Sequence, residues 1–247
     1  MSKYKGLNTS NMFYIYSSGH KPVNVELVKD KERNIIELAP AWKGFFFVRN
    51  QNIKFSDNVN YHYRFNINSC AKFLAFWDYF SGALVEHSHA EKCIHFYHEN
   101  DLRDSCNTES MLDKLMLRFI FSSDQNVSNA LAMIRMTESY HLVLYLLRTI
   151  EKEKEVRIKS LTEHYGVSEA YFRSLCRKAL GAKVKEQLNT WRLVNGLLDV
   201  FLHNQTITSA AMNNGYASTS HFSNEIKTRL GFSARELSNI TFFSEKK

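Results

Sequence analysis

Between Thr162 and Gly231 the apolar positions of this 247-residue chain run through the same order twice. The first passage reads Thr162, three residues, Gly166, then Phe172, Cys176, Leu180 and Gly181. The second reads Ala211, three residues, Gly215, then Phe222, Ile226, Leu230 and Gly231. A small residue four before a glycine suits two helices that cross closely at a tight turn, and a row at i, i+4, i+8 gives the second helix one buried face. Each passage therefore predicts a short helix, a glycine turn and a second helix packed across the first, which is the outline of a helix-turn-helix. Two such units in tandem suit a protein that grips DNA.

The polar positions complete the pattern. In the first unit Ile158, Leu161 and Tyr165 share the packing face of the leading helix, Ser168 is placed to cap the next helix, and Glu169 suits its first turn. With Phe172, Leu175, Cys176 and Ala179 turned inward, Ala170, Arg173, Ser174, Arg177 and Lys178 are left outside. Arginine binds guanine O6 and N7 with two parallel bonds, so Arg173 is the candidate base reader, with Ala170 and Ser174 near base edges. Arg177, Lys178, Lys183 and Lys185 are the candidate phosphate contacts. In the second unit Ile207, Ala210 and Ala211 pack, Ser218 caps, and Phe222, Ile226 and Leu230 point inward. Thr219, Ser220, Ser223 and Asn224 then face base edges, Asn224 being suited to adenine, while Lys227 and Arg229 suit phosphates. Residues 184–202 between the units read as one long helix carrying Leu188, Trp191, Leu193, Leu197, Leu198 and Phe201. A rigid spacer matters because successive major grooves on one side of a duplex lie ~34 Å apart.

The first half has a different period. Residues 59–67 alternate apolar and polar as a half-buried strand does, with further strands predicted at 13–16, 25–28, 35–38, 45–49 and 72–77, the last turning at Ser81-Gly82. Two helices are predicted at about 109–121 and 127–152. The fold class is thus α+β: a β-rich, cupin-like barrel domain over 1–152, then an all-α domain over 155–242 with two helix-turn-helix units joined by a long helix. The run Glu151-Lys152-Glu153-Lys154-Glu155 reads as a solvated helix end at the junction.

Charge separates the same two parts. Of a net charge of +7, residues 1–151 hold +1 and residues 152–247 hold +6. A basic surplus confined to the half with the repeat is the footprint of a polyanion. No nucleophile elbow, phosphate loop or dinucleotide fingerprint is present, so the reading is not an enzyme. Neither a signal segment nor a run of ~20 apolar residues is visible, which gives a cytoplasmic expectation with no membrane partner. Cys70, Cys93, Cys106 and Cys176 show no paired spacing, and Cys176 reads as a small core residue. His87, His89, Cys93, His95 and His98 fall within twelve residues. They resemble the Gly…His-x-His…Glu pattern of cupin metal sites only loosely, the spacing being off, so no metal or cofactor is assigned. A cupin-like metal-binding or ligand-sensing protein with an appended DNA-binding domain stands as the alternative function.

Residues 155–240 resemble the AraC/XylS family of bacterial transcription regulators. The resemblance rests on LTEHYGVSEAYFRSLCRKALG, on Arg192 in the spacer, and on ITSAAMNNGYASTSHFSNEIKTRLGFSARE, which matches the family's signature region. It implies a sequence-specific, double-stranded DNA-binding activator that works at promoters beside RNA polymerase. It further implies virulence and type III secretion genes as targets, a type III secretion chaperone as co-activator, and a possible homodimer. The chain departs from the family at Thr162 and Gly196, where alanine is usual, and at Ala210, where a larger aliphatic is usual. Asn214 replaces an apolar residue and Ala234 a proline. Together these departures predict a loosely packed second unit.

Overall fold

The computed structural model describes residues 10–29, 32–82, 93–98, 102, 109–152, 157–231, 233 and 236. The chain divides into two compact units, one built from residues 1–145 with 178–181 and the other from 146–177 with 182–247.

In the first unit the described strands are β1 (Ser10–Tyr16), β2 (Val23–Lys29), β3 (Glu32–Leu38), β4 (Lys43–Arg49), β5 (Asn52–Phe55), β6 (Tyr61–Phe65) and β7 (Cys93–Tyr97). They form two antiparallel sheets, β6-β1-β4-β7 and β3-β2-β5. Strand period 2 assigns the faces of the larger sheet. Phe13 and Ile15 of β1 and Phe46 and Val48 of β4 join Val23, Val25, Leu27, Leu38 and Trp42 in the core between the sheets. The opposite face carries Met12, Tyr14, Phe45, Phe47, Phe65 and Phe96, all buried. Burial on both faces explains why β4 reads Phe45-Phe46-Phe47-Val48 without alternation.

That second face meets α1 (Ile67–Ser81), α2 (Glu109–Ile120) and α3 (Gln125–Arg135), which α4 (Glu138–Lys152) follows. Phe119 of α2 lies edge-on to Phe45 with ring centroids 5.1 Å apart, and 5.7 Å from Phe96.

Two predicted elements differ. The strand expected at 72–77 lies inside α1, which starts where the Asn66 side chain accepts a hydrogen bond from the Asn68 N–H and ends at Gly82 in the left-handed conformation. Asp78, the charge that interrupts this apolar run, is buried and held in two hydrogen bonds by Arg135, at 2.8 and 3.0 Å, and by the Tyr140 hydroxyl at 2.7 Å. The single helix expected at 127–152 is broken at Met136-Thr137, where the Thr137 hydroxyl accepts from the Tyr140 N–H and starts α4.

Candidate nucleic-acid interface

The first helix-turn-helix is α5 (Ile158–Tyr165) followed by α6 (Glu169–Leu180). Gly166 stands between them at φ 75°, a conformation that costs a residue with a Cβ, and its N–H closes α5 on the Thr162 carbonyl at 2.9 Å. Thr162 is buried at the crossing, and its hydroxyl is satisfied by donating to the Lys159 carbonyl at 2.8 Å. Ser168 begins α6, accepting from the Tyr171 N–H at 3.4 Å. Phe172, Leu175, Cys176, Ala179 and Leu180 are buried, and the Phe172 ring meets Tyr165 at 5.6 Å. Burial pushes the Cys176 thiol up to about 12, so it stays protonated at neutral pH and acts as core.

All of Ala170, Arg173, Ser174, Arg177 and Lys178 are exposed on α6, as are Lys183 and Lys185 around the start of α7 (Val184–Phe201). Arg173 is paired within its own helix: Nε and Nη2 both donate to Glu169 Oε1, at 3.0 and 2.6 Å. An exposed i,i+4 pair adds only about 0.3–0.5 kcal/mol to a helix, so its main effect is on where the guanidinium points. Lys183 lies 3.7 Å from Glu186.

α7 has 18 residues, about 27 Å of helix at 1.5 Å per residue. Its C-terminal half builds a core with α8 (Ile207–Asn213) and α9 (Thr219–Leu230): Leu193, Ala210, Ala211, Tyr216, Phe222 and Ile226 are buried together. Gly196 faces this core. A Cβ there would lie 2.8 Å from the Phe222 ring, so the missing side chain is the space that Phe222 fills. Asn214 donates to Asp199 Oδ2 at 2.6 Å and to the Ala210 carbonyl at 2.9 Å. Two of the departures from the family pattern are thus packed or bonded, and the expectation of a loose second unit does not hold for them. Ala234 lies outside the described residues.

On α9, Ser218 caps by accepting from the His221 N–H. Ser220, Asn224, Lys227 and Arg229 are exposed, while Thr219 and Ser223 are partly so. Leu230 corrects the expected inward row: it is 41% exposed, because the last turn before Gly231 runs past the core. Arg229 is held from two sides, Nε lying 3.1 Å from Glu225 Oε1 and Nη1 donating to Thr190 Oγ1 of α7 at 2.7 Å. The Arg192 guanidinium lies 5.8 Å over the Tyr216 ring, and burial, then the Glu225 carboxylate, raises the Tyr216 phenol above its ordinary value. Thr190, Arg192, Tyr216, Glu225 and Arg229 therefore form a polar strap between α7 and the second unit.

A helix-turn-helix domain family matches residues 161–239. Over 204 residues the chain is 98% identical to the transcriptional regulator MxiE of Shigella flexneri, a match covering 83% of this chain and 97% of that protein. It is 37% identical over 180 residues to the invasion protein InvF of Salmonella typhimurium, covering 73% and 82%. The chain belongs to the AraC/XylS family of transcription regulators. Among solved structures it is similar to ToxT of Vibrio cholerae, at 16% identity and TM-score 0.39 over 94% of this chain and 90% of that one. It is also similar to an AraC-type DNA-binding domain of Chromobacterium violaceum, at 19% identity and TM-score 0.37 over 40% and 91%.

Membership of the AraC/XylS family makes the chain a DNA-binding transcription regulator, a class that is not enzymatic. No helix among the described residues is long and apolar enough to cross a membrane. Of the histidine cluster, His87 and His89 lie outside the described residues. His95 stacks on Phe46 with centroids 5.2 Å apart, and His98 lies edge-on to Phe45 at 5.2 Å, so both meet aromatic rings. Among the described residues no three His, Cys, Asp or Glu side chains are grouped as metal ligands. In this AraC/XylS regulator the roles of Glu169, Thr190 and Glu225 as pairing partners emerge from the structure. For the two glutamates the signal was there, since Glu169–Arg173 and Glu225–Arg229 are both spaced i,i+4.

Proposed function

We propose that the chain is a sequence-specific activator of virulence and type III secretion genes, acting at promoters beside RNA polymerase with a type III secretion chaperone as co-activator. The observation that carries the DNA-reading part is the contrast between the two sides of α6 and α9. Phe172, Leu175, Cys176, Ala179 and Leu180 of α6 and Phe222 and Ile226 of α9 are buried, and the outer rows hold arginine, lysine, asparagine and small hydroxyls that no core claims. α6 enters one major groove with Arg173 on guanine and Ala170 and Ser174 beside it. α9 enters the next with Asn224 on adenine and Thr219, Ser220 and Ser223 beside it. Arg177, Lys178, Lys183, Lys185 and Lys227 neutralise phosphates, and Arg229 does so while keeping its bond to Thr190. Residues 1–152 serve regulation and self-association, and residues 155–242 serve DNA. The similarity to the transcriptional regulator MxiE and the invasion protein InvF supports the gene class, and the co-activator is what the family resemblance implies.

The test is reconstituted transcription from a type III effector promoter with purified polymerase, adding the full chain with and without the chaperone. Transcript that needs both proteins supports the reading. Equal transcript from the chain alone removes the co-activator, and none under either condition removes the activator.

A further inference from the structure

Glu169 holds the guanidinium of Arg173 from one turn earlier on the same helix. The guanidinium is planar, with five N–H groups in fixed directions. Nε and Nη2 together use one edge of it, and that edge is committed to Glu169 Oε1. The adjacent end, where Nη1 and Nη2 each present an N–H, is the fork that matches guanine O6 and N7. A free arginine of this length samples many rotamers, each able to donate to a phosphate or to another base. Pairing from one turn earlier on the same helix narrows those choices before DNA arrives.

We propose that Glu169 is a specificity-determining residue, which holds Arg173 by its side edge so that its end fork meets one guanine in the major groove. This rests on the reading of α6 as a groove-entering helix. The second unit supplies a contrast. Aligned on Phe172 and Phe222, the positions of Glu169 and Arg173 are taken by Thr219 and Ser223, which cannot form this brace. The ion pair of α9, Glu225 with Arg229, lies further along and is bonded to Thr190 instead. Braced guanine reading therefore belongs to the first unit alone, and the preferred sites carry one strongly specified guanine in the half bound by α6.

Removing a carboxylate from a DNA-facing helix also raises affinity for any duplex, so the readout must be base preference and not affinity. The full chain is used to select from a randomised duplex pool, in parallel with Arg173→Ala, Glu169→Ala and Glu169→Gln. Arg173→Ala is expected to erase a guanine preference of about 5- to 150-fold at one base pair. Glu169→Ala is expected to weaken the preference at that same base pair by about twofold, the bias that an exposed i,i+4 pair supplies, while tightening binding to unrelated duplex. Glu169→Gln keeps an acceptor oxygen and restores most of the preference. If Glu169→Ala tightens all binding and leaves the preference intact, Glu169 is only a surface charge and the brace is overturned. If Arg173→Ala leaves every position unchanged as well, the reading of α6 itself fails.

Discussion

Arg229 Nη1 donates to Thr190 Oγ1 at 2.7 Å, which ties the second recognition helix to the helix that connects the two units. The bond joins residues 39 apart in sequence and has Glu225 on the other side of the guanidinium. On the proposed reading, the register between α6 and α9 depends on such cross-helix ties as well as on the length of the connector.

Arg229→Ala should separate fold from binding when compared with Lys227→Ala. Losing the charged hydrogen bond to Thr190 and the pair with Glu225 is expected to lower unfolding stability by about 1 kcal/mol, after allowance for the partly exposed site. Lys227→Ala is expected to leave stability unchanged and to reduce the slope of log K against log salt by about 0.9. Urea unfolding and salt-titrated binding distinguish the two variants. Equal unfolding midpoints would remove the strap.

Gly196→Ala tests the packing of the second unit against helix propensity. Alanine favours a helix interior over glycine by about 1 kcal/mol, so a loose core would be stabilised. With Phe222 fully buried and 2.8 Å from the new Cβ, the expected outcome is instead a net loss of about 1–3 kcal/mol. A rise in the urea midpoint would contradict the close approach.

Asp78→Ala should unsettle the first unit. It leaves the part-buried Arg135 without its carboxylate and removes the acceptor of the Tyr140 hydroxyl, so that α1, α3 and α4 are no longer tied together. Breaking one side of a buried pair costs about 3–5 kcal/mol. Thermal unfolding followed by Trp fluorescence is the check, and a midpoint within a degree of the parent would show that the network is not structural.

Cysteine labelling tests burial directly. Desolvation pushes the Cys70 and Cys176 thiols up to about 12. Both are expected to resist iodoacetamide at pH 8 in the folded chain and to react once denatured, because the thiolate is the reactive form. Labelling of either at the denatured rate under native conditions would contradict the packing of α1 or α6.

What the sequence made legible follows from periodicity. The two helix-turn-helix units combine i,i+4 rows with glycines that the turns require, and both signals survive in a single sequence. Leu230 was misread because the row was extended into a last turn that has left the core. α1 was misread as a strand because Phe73, Phe76, Trp77 and Phe80 lie beside the buried Leu74 and Ala75, so apolar residues occur on most sides and no period dominates. β7 alternates buried Ile94 and Phe96 with exposed His95 and Tyr97, but two apolar positions in five residues are too short a signal to mark a strand. β5 has four residues, too short a run to stand out. Side-chain pairing was the least legible level: i,i+4 spacing suggests Glu169–Arg173, but nothing in the sequence indicates that Arg229 reaches Thr190.

A methylation-protection footprint of the full chain on a selected duplex bears most directly on the two-groove claim. Two protected major-groove patches about 10–10.5 base pairs apart on one face are expected. Arg173→Ala should abolish guanine protection in one patch, and Asn224→Ala should weaken protection of the guanines flanking its adenine in the other. A single patch, or two on opposite faces of the duplex, would contradict it.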